Sequence, residues 1–170
     1  MGMKQTLGVL NRMEAEGIIG QYAISGAFAA YYYVEPTVTE DLDVLITLAP
    51  IFSYLREKGY DEHRKEGIVI EGWPVQFLPV ASDLDAEALA QAKEIEIPIS
   101  EAEGTVKTRI LRPEHIVAIS LGVRRPKDFL RIAQFLEEEA VDRELLSDVL
   151  ARHALTDAWK AFCKRAGIDL

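Results

Sequence analysis

Asp41 and Asp43 stand one residue apart in Thr39-Glu40-Asp41-Leu42-Asp43-Val44-Leu45-Ile46, and that spacing restricts how the segment can sit in a fold. The β-branched and apolar residues around the pair predict a short strand, in which every second side chain shares a face. Both carboxylates then point one way, while Leu42, Val44 and Ile46 point the other way into a core. Two hard oxygen ligands side by side on a strand suit a divalent cation that keeps much of its own water and binds phosphates. Without a cation the two charges repel, and the pKa of one must rise unless solvent is plentiful. The segment therefore either binds a cation or holds the pair in good solvent.

The elements around this strand predict a mixed architecture. Met3, Leu7, Leu10 and Met13 recur at helical spacing, with Gly17 as a stop. Tyr22-Ala23-Ile24 reads as a strand, and Phe28 to Val34 as a short helix. Pro50 suits the first position of a helix running to Lys58. Ile68-Val69-Ile70 and Val75-Gln76-Phe77-Leu78 read as a hairpin, with Glu71-Gly72-Trp73-Pro74 between them. A helix around Asp85 to Lys93 precedes a strand pair, Glu94 to Ile99 and Thr105 to Leu111, joined through Glu103-Gly104. From Arg112 onward only helices are predicted. Pro113 opens the first, Phe129, Ile132, Ala133 and Leu136 mark the second, and Asp142 caps the third. Trp159, Phe162, Cys163 and Ala166 mark the fourth, with Gly167 as its stop. The expected fold class is α+β, with residues 1–111 as an α/β core and 112–170 as an all-helical C-terminal extension in one compact unit.

Composition removes several classes of function. A net charge of −9 disfavours a protein whose task is gripping a nucleic-acid backbone, which needs clustered Lys and Arg. The single cysteine, Cys163, excludes an internal disulfide and reads as core. No apolar run is long enough to span a bilayer, and the first residues lack the apolar segment of a signal peptide, so a cytoplasmic protein is expected. His63, His115 and His153 share no ligand spacing and read as structural or exposed. Glu137-Glu138-Glu139 reads as a solvated helix end, and Arg124 and Arg125 as phosphate contacts or solubilising charge. Of Tyr31-Tyr32-Tyr33, core packing with one exposed ring is expected, base stacking being the alternative.

The turn upstream of the strand adds chemistry. Ser25-Gly26-Ala27-Phe28-Ala29 follows an apolar strand and leads into a helix, an arrangement that lets backbone N–H groups approach an anion. Ser25 adds a hydroxyl. A small-residue turn followed by paired carboxylates is a coherent site for a metal–nucleoside triphosphate.

Together, Ser25-Gly26-Ala27-Phe28-Ala29 and Thr39-Glu40-Asp41-Leu42-Asp43 resemble the signature of the DNA polymerase β-like nucleotidyltransferase superfamily. The likeness is to its minimal bacterial branch, which includes the AbiEii-type toxin–antitoxin and MNT-like proteins. Arg125-Pro126-Lys127-Asp128 resembles the Arg-x-Lys-Asp segment that often follows the core in that branch. The resemblance covers roughly residues 20 to 136 and implies a mixed sheet packed by helices. It also implies Mg²⁺ on Asp41 and Asp43, which become the catalytic residues of nucleoside monophosphate transfer from a triphosphate to an acceptor. Ser25, Gly26, Ala27, Thr39, Gln76 and Lys127 become the substrate-binding set.

The chain departs from that pattern in places. Ala27 replaces a second Gly or Ser, Ser120 replaces a frequent Lys, and Gln76 stands where a third carboxylate is expected. Glutamine takes no proton from a hydroxyl near neutral pH. Glu71 is the nearest substitute in sequence. Two other readings stay open, a weakened nucleotide-binding or antitoxin-like module that binds a partner protein, and an interaction protein that self-associates through its C-terminal helices.

Overall fold

The computed structural model describes residues 2–36, 39–46, 51–100 and 104–168. Its first half alternates helices and strands. Helix α1 (Met3–Ala15) precedes β1 (Tyr22–Ile24), α2 (Gly26–Ala30), β2 (Leu42–Ile46) and α3 (Ile51–Glu57). Strands β3 (His63–Arg64), β4 (Gly67–Ile70) and β5 (Trp73–Pro79) follow, then α4 (Asp83–Ala90), β6 (Lys93–Ser100) and β7 (Gly104–Ile110). Helices α5 (Pro113–Val123), α6 (Pro126–Glu137), α7 (Arg143–Arg152) and α8 (Thr156–Ala166) complete the chain. This is the expected α+β architecture, a mixed sheet packed by helices with helices alone beyond it. Among the described residues no helix is long and apolar enough to cross a membrane.

Among the described residues seven strands form one sheet in the order β3-β4-β5-β2-β1-β7-β6. Strand β2 sits at its centre, antiparallel to β1 and parallel to β5, with Asp43 opposite Gln76 and Leu45 opposite Leu78. One hydrophobic core runs from Leu7 and Leu10 of α1 through Ile24, Leu42 and Val44 of the sheet to Ile132, Leu150 and Phe162 of the later helices. Helix α5 joins the halves; it is buried along most of its length and packs against α2, α4, α6, α7 and α8. Trp159 and Phe162 stack on each other, and Phe162 stacks on Phe129 of α6, so Cys163 is buried as the sequence suggested.

Several boundaries differ from expectation for local reasons. Helix α2 begins at Gly26 rather than Phe28 and ends at Ala30. Beyond it the Tyr32 and Tyr33 N–H groups bond back only three residues, to Ala29 and Ala30, a tightening typical of poor helix formers such as Tyr. Helix α4 starts earlier than expected because Ser82 caps it, its hydroxyl accepting from the Asp85 N–H at 3.1 Å. The β4–β5 turn is shorter than expected. Glu71 (φ 51°) and Gly72 (φ 91°) alone make it, as a left-handed two-residue turn, and Trp73 and Pro74 belong to the strand. Pro74 is tolerated there because β5 begins pairing with β2 only at Val75. Strand β3 has two exposed polar residues and gave no apolar signal. Pro50 and Glu103, expected in a helix start and a turn, lie outside the described residues.

Candidate functional site

The carboxylate pair lies at the start of the central strand. In β2 the burial pattern leaves only Asp43 short of full burial, and Asp41 immediately precedes the strand. Asp43 is not in good solvent. Burial pushes its carboxyl above the ordinary carboxylate range, the charge of Asp41 adds to the rise, and the cations Lys127, Arg131 and Arg125 oppose it. The repulsion anticipated from the spacing is therefore present, and desolvation is the larger cause.

Neighbouring backbone fixes the pair. The Ser25 N–H donates to the Asp43 carbonyl at 2.9 Å, which brings the start of α2 against β2. Gly26 follows with φ 61°, and a Cβ built there would lie 1.8 Å from Asp43 Oδ2. Only a glycine satisfies both the left-handed backbone and this approach. The Thr39 hydroxyl donates to Asp41 Oδ1 at 3.1 Å and so orients the other carboxylate. On the adjacent strand Gln76 is in register with Asp43 and exposed.

The opposing wall comes from α6. Asp128, the third residue of that helix, is 1% exposed and accepts from the Arg125 N–H at 3.0 Å, Nε at 2.8 Å and Nη2 at 3.0 Å. Burial pushes the Asp128 carboxyl up, but these bonds and the charges of Arg125 and Arg131 outweigh it and hold the group below its ordinary value. Arg131 Nη1 lies 3.7 Å from the same carboxylate. Asp128 is thus a buried anchor for two guanidinium groups that face the site. Lys127, exposed on the first turn of α6, makes no ion pair within 4 Å among the described residues.

The pair and these cations border two cavities. One, about 560 Å³, opens toward α2 and α6 and is lined by Ala27, Tyr31, Thr39, Glu66, Leu130 and Gln134 among others. The second, about 380 Å³, lies between β2, β5, α4 and α5 and reaches Ser25, Gly26 and Gln76. Asp41, Asp43, Arg125, Lys127 and Arg131 line both. Every sequence-predicted site residue, Ser25, Gly26, Ala27, Thr39, Asp41, Asp43, Gln76 and Lys127, therefore borders this cleft. Among the described residues no group of three or more His, Cys, Asp or Glu side chains is arranged to hold a metal. The donor set here is two carboxylates, with room for water and phosphate oxygens, which fits Mg²⁺ rather than a closed protein cage.

Two expectations fail here, those for Glu71 and for the solvated Glu137-Glu138-Glu139 run. Glu71 does not replace the missing carboxylate; it lies in the β4–β5 turn and accepts from the Tyr60 hydroxyl at 2.6 Å. His115 and His153, remote in sequence, both meet Glu87 of α4, at 3.2 and 2.8 Å, and Arg152 joins them at 2.6 Å. Glu138 is not merely solvated, since it accepts from the Glu35 N–H at 2.9 Å and ties the loop after α2 to α6. Tyr32 is half exposed, whereas Tyr31 borders the larger cavity. Sequence reasoning missed Arg131, although it lies one helical turn from Lys127 and so shares its face.

No protein-family model matches the chain, and no curated protein matches it. Several solved structures superpose on it, among them the following two. An antigenic nucleotidyltransferase-like protein from Paracoccidioides brasiliensis does so with a TM-score of 0.49 and 16% identity, over 92% of this chain and 90% of that one. The antibiotic-resistance factor ANT(2'')-Ia does so with a TM-score of 0.43 and 14% identity, over 97% of this chain and 99% of that one.

Proposed function

We propose that this protein is a Mg²⁺-dependent nucleotidyltransferase that moves a nucleoside monophosphate from a nucleoside triphosphate to an acceptor. The observation that carries the reading is the confrontation of Asp41 and Asp43 with Arg125, Lys127 and Arg131 across one cleft. A polyphosphate with its counter-ion is the ligand whose charges alternate in the same way. Asp41 and Asp43 would hold the Mg²⁺, which would neutralise charge on the triphosphate. Thr39 keeps Asp41 oriented, the Gly26 backbone leaves room for Asp43, and Ser25 and Ala27 border the space for phosphate. Lys127 and Arg131 supply fixed positive charge where negative charge develops. The larger cavity, with Tyr31 and Leu130 on its walls, has the volume of an ordinary small-ligand site and suits the nucleoside.

A specific observation favours a second reading. Gln76 stands beside Asp43 where a proton acceptor would be useful, and it cannot serve as one. A protein that binds nucleotide without efficient transfer, as an antitoxin-like partner-binding module, also fits the cleft. Calorimetric titration with ATP, with and without Mg²⁺, tests the binding common to both. Release of pyrophosphate from labelled triphosphates in the presence of candidate acceptors separates them. Transfer that survives Asp41→Asn and Asp43→Asn would overturn the proposed site.

A further inference from the structure

The smaller cavity differs in kind from the larger one. It runs along β2 and β5 from Asp43 and Gln76 past Leu45 and Leu78, side chains that share a face by strand alternation. Ile116 and Ile119 of α5 form its roof. Its far end is acidic: Asp85 stands at the start of α4, beyond the end of β5, and one of its oxygens accepts from the Ala81 N–H at 3.1 Å. Pro79, the end of β5, lies three steps along the strand from Gln76, on the order of 10 Å. Ser120 also borders the cavity; it is buried, and its hydroxyl makes no hydrogen bond with a described residue. Aliphatic walls between a densely charged end and a single carboxylate at the other describe a small-molecule site rather than a channel for a polyanion. The basic groups lie only at the end shared with the larger cavity, and the carboxylate of Asp85 would repel a phosphate backbone at the other.

We propose that this apolar cavity is the acceptor site, and that the acceptor is a small molecule with an apolar body. Its hydroxyl faces the Asp43 end and an amine or other cationic group faces Asp85. The inference rests on the nucleotidyl-transfer reading, because in-line transfer requires donor and acceptor to reach the carboxylate pair from different sides, and the pair borders both cavities. The acceptor oxygen forms a bond to the α-phosphorus while the bond from that phosphorus to the pyrophosphate oxygen breaks and its electron pair leaves with pyrophosphate. The hydroxyl proton goes to water at the cleft mouth, since Gln76 cannot accept it.

The test uses three probes with one apolar body and different ends: 2-phenylethylamine, 2-phenylethanol and 3-phenylpropionate. Each is titrated into the full-length ¹⁵N-labelled protein and followed by NMR. The expected result is that the amine and the alcohol shift the amides of Leu78, Ile116 and Ile119, with the amine binding at least threefold tighter than the carboxylate. Asp85→Asn, whose amide oxygen can still accept from Ala81, should abolish that preference. Ile119→Trp should abolish the shifts by filling the cavity. Tighter binding of the carboxylate, shifts confined to other surfaces, or titrations unchanged in Ile119→Trp would overturn the assignment. A parallel titration with Mg²⁺ and a non-hydrolysable ATP analogue, read at Tyr31 and Lys127, separates the two levels. Nucleotide binding without probe binding sinks the acceptor site alone, whereas probe binding without nucleotide binding sinks both the acceptor role and the transfer reading.

Discussion

Removing the charge of Asp43 without changing its shape should stabilise the metal-free protein. Two residues along a strand span about 6.6 Å. Coulomb's law at that separation gives a repulsion of about 0.6 kcal/mol in a water-like medium and about 2.5 kcal/mol at the effective dielectric near a protein surface. Lys127, Arg131 and Arg125 offset part of it, and desolvation of Asp43 adds to it, so a gain of about 1 kcal/mol is expected for Asp43→Asn. For a chain of this length that is roughly 2–4 °C in Tm. The sign of the pH dependence follows from the raised pKa. Folded Asp43 binds its proton more tightly than the unfolded group, so ionisation costs the wild type stability as pH rises from the ordinary value of 3.8 through the raised one. The advantage of the Asn variant should be full above the raised pKa and should close as pH falls toward 3.8, where both side chains are neutral. Adding Mg²⁺ and nucleotide should reverse the order, because a ligand at a hundred times its Kd stabilises the wild type by about 2.7 kcal/mol and leaves the variant behind. Melting curves between pH 4.5 and about 8, with and without Mg²⁺–ATP, contain all of this. An Asn variant that melts below the wild type at pH 7 in chelator, or an order that ligand does not reverse, would refute the account of the pair.

The same structure fixes three further outcomes. Gly26→Ala puts a methyl group into the Asp43 carboxylate at a left-handed backbone position, so a loss of about 1–3 kcal/mol in urea unfolding is expected, together with loss of Mg²⁺–ATP affinity by calorimetry. Asp128→Ala removes the cap of α6 and the anchor of Arg125 and Arg131, which should cost about 1–3 kcal/mol, whereas Asp128→Asn should keep more of the fold and still weaken nucleotide binding. Glu87, held down to about 2 by Arg152, His153 and His115, contributes stability that is present above its ordinary value of 4.5 and lost as pH falls toward 2. Glu87→Gln should therefore lower Tm at neutral pH by an amount that shrinks as the pH drops through that window.

The parts of the site legible in the sequence are those made by short-range geometry. Strand alternation places Asp41 and Asp43 on one face from a few residues of sequence, and the same rule orders Gln76 and Leu78 on β5. A glycine between a strand and a helix announces Gly26, although its need for that residue comes from Asp43, seventeen positions on, and is visible only in three dimensions. The remainder depends on packing. Lys127 and Asp128 are sequence neighbours, and nothing local says that Asp128 turns inward and pairs with Arg125 and Arg131 while Lys127 turns out. The Glu87 cluster joins side chains from α4, α5 and α7 that share no motif. The apolar cavity is built from four elements, each of whose apolar residues reads simply as core.

Gln76 is where the sequence pattern and the chemistry part, and restoring a carboxylate there separates inheritance from present use. Gln76→Glu is close to isosteric and places a third negative charge opposite Asp43 on the neighbouring strand, about 4.8 Å away across the ladder. Because Gln76 is exposed, the repulsion should sit near the water-like limit, about 1 kcal/mol, and should lower Tm in chelator by a few degrees. If the cleft binds Mg²⁺ on Asp41 and Asp43, a third oxygen donor beside them should tighten Mg²⁺ binding and recover the lost stability when the ion is added. If transfer in the wild type is limited by the absence of a proton acceptor, the variant should also turn over faster, with a rate that rises with pH through the new carboxylate's pKa. A variant that binds Mg²⁺ better without transferring faster would place the limit elsewhere and favour the nucleotide-binding module. A variant that binds Mg²⁺ no better would show that the register between Gln76 and Asp43 does not bring a donor to the ion, and the metal site itself would have to be redrawn.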